Sequence, residues 1–144
     1  MTTRRRLLIG EDQVLIRLDL HRLLEQAGYD VCAMARDGAE AVELALEHRP
    51  DLVLLDVKMP RIDGVEAARR ILAEFLVPIV LLTAYGHGEL ISRAVDVGVA
   101  GFVGKPFQES DLLDALDTAS RHTFDRDSLA YLRVTSDAAT RPRR

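Results

Sequence analysis

The stretch Asp51-Leu52-Val53-Leu54-Leu55-Asp56-Val57-Lys58-Met59-Pro60 decides the reading of this chain. Four apolar residues follow one another without polar alternation, and the run closes on an aspartate. A run this short, apolar on both faces, predicts a strand buried on both sides, as in a parallel sheet. Working outward, Leu7-Leu8-Ile9 and Val31-Cys32-Ala33-Met34 precede it. Ile79-Val80-Leu81-Leu82, with Pro78 at its start, and the weaker Phe102-Val103 follow it. Between these runs apolar residues recur at helical spacing. The first helical set is Ile16, Leu20, Leu23, Leu24 and Ala27, closed by Gly28; the second is Ala41, Val42, Ala45 and Leu46, stopped by Pro50. Val65, Ala68, Ile71, Leu72 and Phe75 form the third, and Leu90, Ile91, Ala94 and Val95, ended by Gly98, the fourth. Leu112, Leu113, Leu116 and Ala119 form the fifth, with Ser110 expected as its N-cap.

Five strand–helix units joined by right-handed crossovers predict an α/β fold, a doubly wound five-stranded parallel sheet with helices on both faces. Five units are too few for a closed barrel, which takes eight. The length of 144 residues fits one domain with a sizeable core. The chain is 48% hydrophobic and 29% charged, with mean hydropathy +0.02, which excludes a disordered or collagen-like chain. No apolar run approaches the ~20 residues that span a bilayer, so no membrane association is expected. Net charge is −4, and direct nucleic-acid binding is not expected from it. The charge is uneven: residues 1–120 carry −7 and residues 121–144 carry +3. A compact domain over 1–122 and a short basic tail over 123–144, partly disordered, are therefore expected. One cysteine, Cys32, fits a reducing compartment. The apolar run after Arg4-Arg5-Arg6 stops at Ile9-Gly10, and Glu11-Asp12 follow; the run is too short for the apolar segment of an export signal, so a cytoplasmic location is expected.

In doubly wound sheets ligands sit beyond the carboxyl ends of the strands. Four of the five runs deliver chemically capable residues there. The first leads into Glu11-Asp12, the third ends in Asp56, the fourth in Thr83, and the fifth leads through Gly104 to Lys105. Three carboxylates side by side repel unless a cation joins them. Hard oxygen ligands with no His or Cys select Mg2+ or Mn2+. An ammonium and a hydroxyl suit the remaining oxygens of a phosphoryl group. The set predicts a phosphoryl-handling site with Asp56 as nucleophile, giving an aspartyl phosphate, and Glu11 and Asp12 as metal ligands.

These residues resemble the receiver domain of bacterial two-component response regulators. The likeness rests on Leu8-Ile9-Gly10-Glu11-Asp12, on Asp51 through Pro60, on Asp63-Gly64, on Ile79 through Ala84, and on Lys105-Pro106-Phe107. It implies that Asp56 accepts phosphate from a sensor histidine kinase. Glu11, Asp12, Asp56 and the backbone carbonyl of Lys58 would bind Mg2+, and Lys105 would pair with the phosphoryl group. Thr83 would hydrogen-bond that group and shift toward it, and Phe102, where many members carry Tyr, would be the switching aromatic. The Lys105–Pro106 bond would be cis. The face made by the fourth helix, fifth strand and fifth helix would serve a downstream protein or a homodimer. Lys58 and Tyr85 would flank the path of attacking water, so loss of phosphate would be slow and the protein would be no enzyme beyond chemistry on its own Asp56. Leu15-Ile16-Arg17-Leu18-Asp19-Leu20 and Asp56 through Pro60 look most like receivers of ANTAR-type regulators, without the ANTAR output domain.

Three other readings compete. A haloacid-dehalogenase-type phosphatase would need an acid two residues after the nucleophile, where Lys58 stands. Gly86-His87-Gly88 lacks the third glycine of a dinucleotide loop and follows the fourth strand, not the first. The third is an interaction module that takes no phosphate, or an RNA-related antiterminator receiver without its output domain.

Overall fold

The computed structural model describes residues 4–84 and 88–121, without the side chains of 88–90. Strands and helices alternate in the order β1 (Arg6–Gly10), α1 (Val14–Gln26), β2 (Asp30–Ala35), α2 (Gly38–His48), β3 (Leu52–Asp56), α3 (Gly64–Leu72), β4 (Ile79–Thr83), α4 (Gly88–Val97), β5 (Gly101–Gly104) and α5 (Glu109–Arg121). All four strand pairings are parallel, and the sheet order is β2-β1-β3-β4-β5. The order reverses between β1 and β3, which opens a crevice at their carboxyl ends.

Alternation along each strand builds two cores, one on each face. Leu8, Val53, Leu55, Ile79, Leu81 and Phe102 face Ala41 and Ala45 of α2, Val65, Ala68 and Ile71 of α3, and Ala94 of α4. Leu7, Ile9, Leu52, Leu54, Val80 and Leu82 face Leu20 and Leu24 of α1 and Leu112, Leu116 and Ala119 of α5. The unbroken apolar runs are thus explained: β3 and β4 are covered on both sides and buried along their length. β2 departs from that expectation. It lies at the sheet edge and is half-buried, and its pairing with β1 slips at Cys32, between Leu7↔Val31 and Leu8↔Ala33.

The helix starts are built from side chains. Asp37 accepts from Glu40 N at 2.8 Å and Asp63 from Glu66 N at 2.8 Å, caps that contribute about 1 kcal/mol each. α1 has Gln13 as N-cap, and its side chain makes no capping bond. Two sequence expectations are corrected here. α5 begins at Glu109, so Ser110 lies within its first turn and is not the N-cap; Glu109 and Asp111 there suit the positive end of the helix dipole. α3 ends at Leu72, and the apolar spacing out to Phe75 continues only as turns, with Glu74 N donating to Ile71 O three residues back and Phe75 N to the same carbonyl four residues back. The basic tail lies outside the described residues. No helix among the described residues is long and apolar enough to cross a membrane.

The β3–α3 loop rests directly on the start of α2. A Cβ at Gly38 would collide with the backbone carbonyl of Ile62, which no side-chain rotation relieves. Gly38→Ala should therefore cost on the order of 2 kcal/mol, typical of overpacking against a rigid neighbour. The readout is a lower urea midpoint with an unchanged slope; a midpoint equal to the parent's would contradict this packing.

Candidate functional site

Strand register brings the chemically capable residues to one edge in steps. Gly10 pairs with Leu55, so Glu11 emerges level with Asp56. Asp56 pairs with Leu82, so Thr83 stands one residue further out. Thr83 pairs with Gly104, and Lys105 follows one residue beyond, its N–H donating to Thr83 O at 2.7 Å. Lys105 is thus the outermost of the set by register, and its long side chain reaches back across the edge. Its Nζ lies 2.8 Å from Asp56 Oδ2 and 3.8 Å from Glu11 Oε1. The Lys105–Pro106 peptide is cis.

Asp56 is 4% exposed, and both its oxygens are engaged. Oδ1 accepts from the backbone N–H of Lys58 at 3.2 Å, and Oδ2 from Lys105. Gly64 makes this possible: a Cβ there would run into the Asp56 carbonyl and press on Val57 Cα at 2.8 Å, so only glycine lets α3 start so close behind the aspartate. Glu11 is fully buried, with Oε2 accepting from Gln13 N at 3.0 Å. Its Oε1 has no hydrogen-bond partner although it is buried. Burial, first of all, and the neighbouring Asp56 raise the Glu11 carboxyl from its ordinary 4.5 to about 7, against the lowering effects of the Gln13 N–H and of Lys105.

Oxygens of Glu11, Asp12 and Asp56 lie within 4.8 Å of one another, with Asp12 exposed at the mouth. An orphaned buried carboxylate oxygen is costly, and here it faces two further carboxylates. That donor set fits a hard divalent cation, which would give Oε1 a partner and offset the repulsion.

The sequence-predicted Glu11, Asp12, Asp56, Thr83 and Lys105 therefore converge, with Thr83 buried beside them. Lys58 contributes its backbone N–H, while its residue is exposed. Phe102 is buried, in the core on the α3–α4 side, two strands from Asp56. Tyr85, Gly86 and His87 lie outside the described residues. Two contributors escaped the sequence reading. Gln13 acts through its backbone N–H, which any residue supplies. Gly64, of the Asp63-Gly64 motif, acts through the side chain it lacks; its place eight residues after Asp56, opening a helix, is its only signal.

Residues 7–117 match the response regulator receiver domain family. The chain is 50% identical over 115 residues to the transcriptional regulatory protein PdtaR of Mycobacterium tuberculosis, covering 80% of this chain and 56% of PdtaR. It therefore spans just over half the length of that relative. It is 34% identical over 118 residues to the chemotaxis protein CheY of Thermotoga maritima, covering 81% of this chain and 98% of CheY. Among solved structures, the signal receiver domain of NarL from M. tuberculosis superposes with a TM-score of 0.79 at 30% identity, over 83% of this chain and 98% of that one. A chain of the CheX–CheY–BeF3–Mg2+ complex from Borrelia burgdorferi matches with a TM-score of 0.73 at 26% identity, over 77% of this chain and 85% of that one.

The raised Glu11 carboxyl gives a signed pH dependence. A group whose folded value exceeds its unfolded value contributes stability that is complete below the unfolded value and is lost as pH rises through the folded one. With chelator present, Glu11 should thus lower stability progressively from about pH 4.5 to about pH 7. Mg2+ should stabilise strongly at pH 8, where the carboxylate is free to bind it, and weakly at pH 5. Urea unfolding with chelator or Mg2+ at the two pH values checks this; an equal Mg2+ effect at both would count against it. Glu11→Gln should flatten the dependence in chelator.

Proposed function

The chain belongs to the response regulator receiver family, and on that premise we propose that Asp56 is its phosphoacceptor and that Glu11, Asp12 and Asp56, with the Lys58 backbone carbonyl, hold Mg2+ or Mn2+. The observation that carries this reading is the convergence of three carboxylates and one ammonium at a single sheet edge, with one buried carboxylate oxygen left unpartnered. The B. burgdorferi relative, solved with BeF3 and Mg2+, supports it.

In this reading an Asp56 oxygen attacks phosphorus, forming a P–O bond as the donor's bond to phosphorus breaks. The donor is the phosphohistidine of a sensor histidine kinase, whose imidazole leaves, or acetyl phosphate, whose acetate leaves. Bound Mg2+ supplies charge neutralisation for the phosphoryl oxygens. Lys105 transfers its ammonium from the Asp56 carboxylate to a phosphoryl oxygen, and the Thr83 hydroxyl turns to another. α1, which begins two residues after Asp12, carries Val14, Leu15 and Leu18, apolar residues that stand in solvent, Leu15 by 76%. They supply a landing surface for a protein donor.

Output follows from the same contacts. A switch from 1:99 to 99:1 takes about 5.5 kcal/mol of differential stabilisation. Two or three charge-assisted hydrogen bonds at about 1.5–3 kcal/mol each are of that order. Movement of Thr83 and Phe102 would pass to the α4–β5–α5 face, the proposed surface for a downstream protein or a second copy. α4 is held to the β3–α3 loop by the exposed Arg93–Asp63 pair at 3.7 Å, which contributes at most about 1 kcal/mol and yields easily. The likeness to PdtaR, with the phrases noted in the sequence, supports a place in transcriptional control, and a cytoplasmic one.

Incubation with acetyl phosphate and Mg2+ should add one phosphoryl group by mass, and Asp56→Asn should add none. Labelling of Asp56→Asn equal to the parent's would overturn the assignment; an unlabelled parent would favour an interaction module that takes no phosphate. Lys58→Ala should lose phosphate faster after donor removal, on the order of tenfold for ~1.4 kcal/mol of barrier. Equal or slower loss would exclude Lys58 from shielding the phosphoryl group.

A further inference from the structure

Arg17 of α1 lies outside the set that handles phosphate, yet it grips the segment carrying two of the three carboxylates. Its Nη1 donates to the backbone carbonyl of Glu11 at 2.7 Å, in a partly buried setting. Every other polar group of Glu11 except Oε1 is also held. The N–H donates to Ala35 O of β2 at 3.0 Å, and Oε2 accepts from Gln13 N at 3.0 Å. The peptide between Glu11 and Asp12 is therefore fixed at its carbonyl by Arg17, at the point where the chain leaves β1 and turns into α1. Without that donor the carbonyl has solvent as its alternative, and the peptide plane can rotate, carrying Asp12 with it.

Helix stability does not explain an arginine here. Arg17 stands at the end of the first turn of α1, where the dipole disfavours a cation. Its own N–H makes the ordinary helical bond to Gln13 O. The guanidinium instead points back past the helix start, and its charge is also felt at Glu40 of α2, whose carboxyl is lowered mainly by Arg36. Arg17 thus ties the first turn of α1 back to the residue that follows β1, across the β1–α1 loop.

We propose that Arg17 is a positioning residue for the divalent-cation site, locking the Glu11–Asp12 peptide so that Glu11 Oε1 and the Asp12 carboxylate converge on one ion. The inference rests on the reading of Glu11, Asp12 and Asp56 as that site. It has a sign that charge alone does not share. Removing a nearby positive charge would tighten cation binding, whereas losing the grip on the peptide loosens it.

The test is Mn2+ titration of the whole chain, followed by the electron paramagnetic resonance of free Mn2+, without any phosphodonor. Arg17→Ala should bind Mn2+ about tenfold more weakly, the effect typical of removing a group that orients a metal ligand. Arg17→Lys, which keeps the charge and an N–H donor, should recover part of the loss, and it carries the test if Arg17→Ala does not fold. Labelling of Arg17→Ala by acetyl phosphate should fall at low Mn2+ and recover as Mn2+ is raised. Mn2+ affinity equal to or tighter than the parent's, or labelling that stays low at saturating Mn2+, overturns the proposal. A parent that binds no Mn2+ overturns the cation site itself and the role of Arg17 with it; a parent that binds, with Arg17→Ala binding equally, overturns only the latter.

Discussion

Repulsion among Glu11, Asp12 and Asp56 is the constraint around which the rest of the edge is arranged. Two of the three are buried, and burial removes the water that would otherwise screen them. The chain answers with one ammonium, Lys105, set 2.8 Å from Asp56 and 3.8 Å from Glu11. One positive charge does not balance three negative ones, and the residue of that imbalance is visible in Glu11, whose carboxyl holds its proton up to about pH 7. A cation and a phosphoryl group are what such an edge is short of. Under the proposed function, the same imbalance that destabilises the isolated domain would make it responsive to both.

Holding like charges together requires a frame that does not relax. The frame is the central part of the sheet, where β3 and β4 are buried on both faces and every residue is fixed by ladder and packing. Asp56 stands at the end of the most enclosed strand, with α3 starting against its carbonyl because Gly64 has no side chain. Glu11 sits one strand away at the same level. Thr83 and Lys105 step outward by register, one residue at a time. Asp56 and Glu11 are thus rigid, while the ammonium comes on a flexible stem from the weaker edge strand. That division suits a site in which Lys105 has to let go of one oxygen and take another.

The fold was legible because it is written in runs: unbroken apolar tetrads for the covered strands, helical spacing between them, and Gly28 and Gly98 at the helix ends, both with positive φ. The convergence of Glu11, Asp12, Asp56, Thr83 and Lys105 was legible because each ends or follows a strand and topology sends all parallel strand ends to one edge. What was hidden has a common cause. β2 read as a buried strand because edge and centre share the same apolar composition, and the bulge at Cys32 leaves no mark in residue type. Ser110 read as a cap because its chemistry is right, but Glu109 already opens the helix. Gln13 works through its backbone and Arg17 through a carbonyl six residues back, neither of which has a periodicity to detect.

The choice of glutamate at position 11 follows from the same economy. α1 starts at Gln13 without a side-chain cap, unlike α2 and α3, which have Asp37 and Asp63. Gln13, Val14 and Leu15 are exposed, so water reaches most of that helix start, but the Gln13 N–H lies in a part-buried setting and needs an acceptor. Glu11 supplies the missing acceptor: its longer side chain turns back so that Oε2 takes the Gln13 N–H, while Oε1 still points toward Asp56 and Lys105. One carboxylate thereby fastens the helix and faces the site. With Oε2 given to the backbone, Oε1 is the oxygen left to the cluster, where it is buried without a hydrogen-bond partner. The helix start and the carboxylate cluster are therefore coupled through a single side chain, and whatever fixes the entry into α1 also fixes the geometry of that cluster.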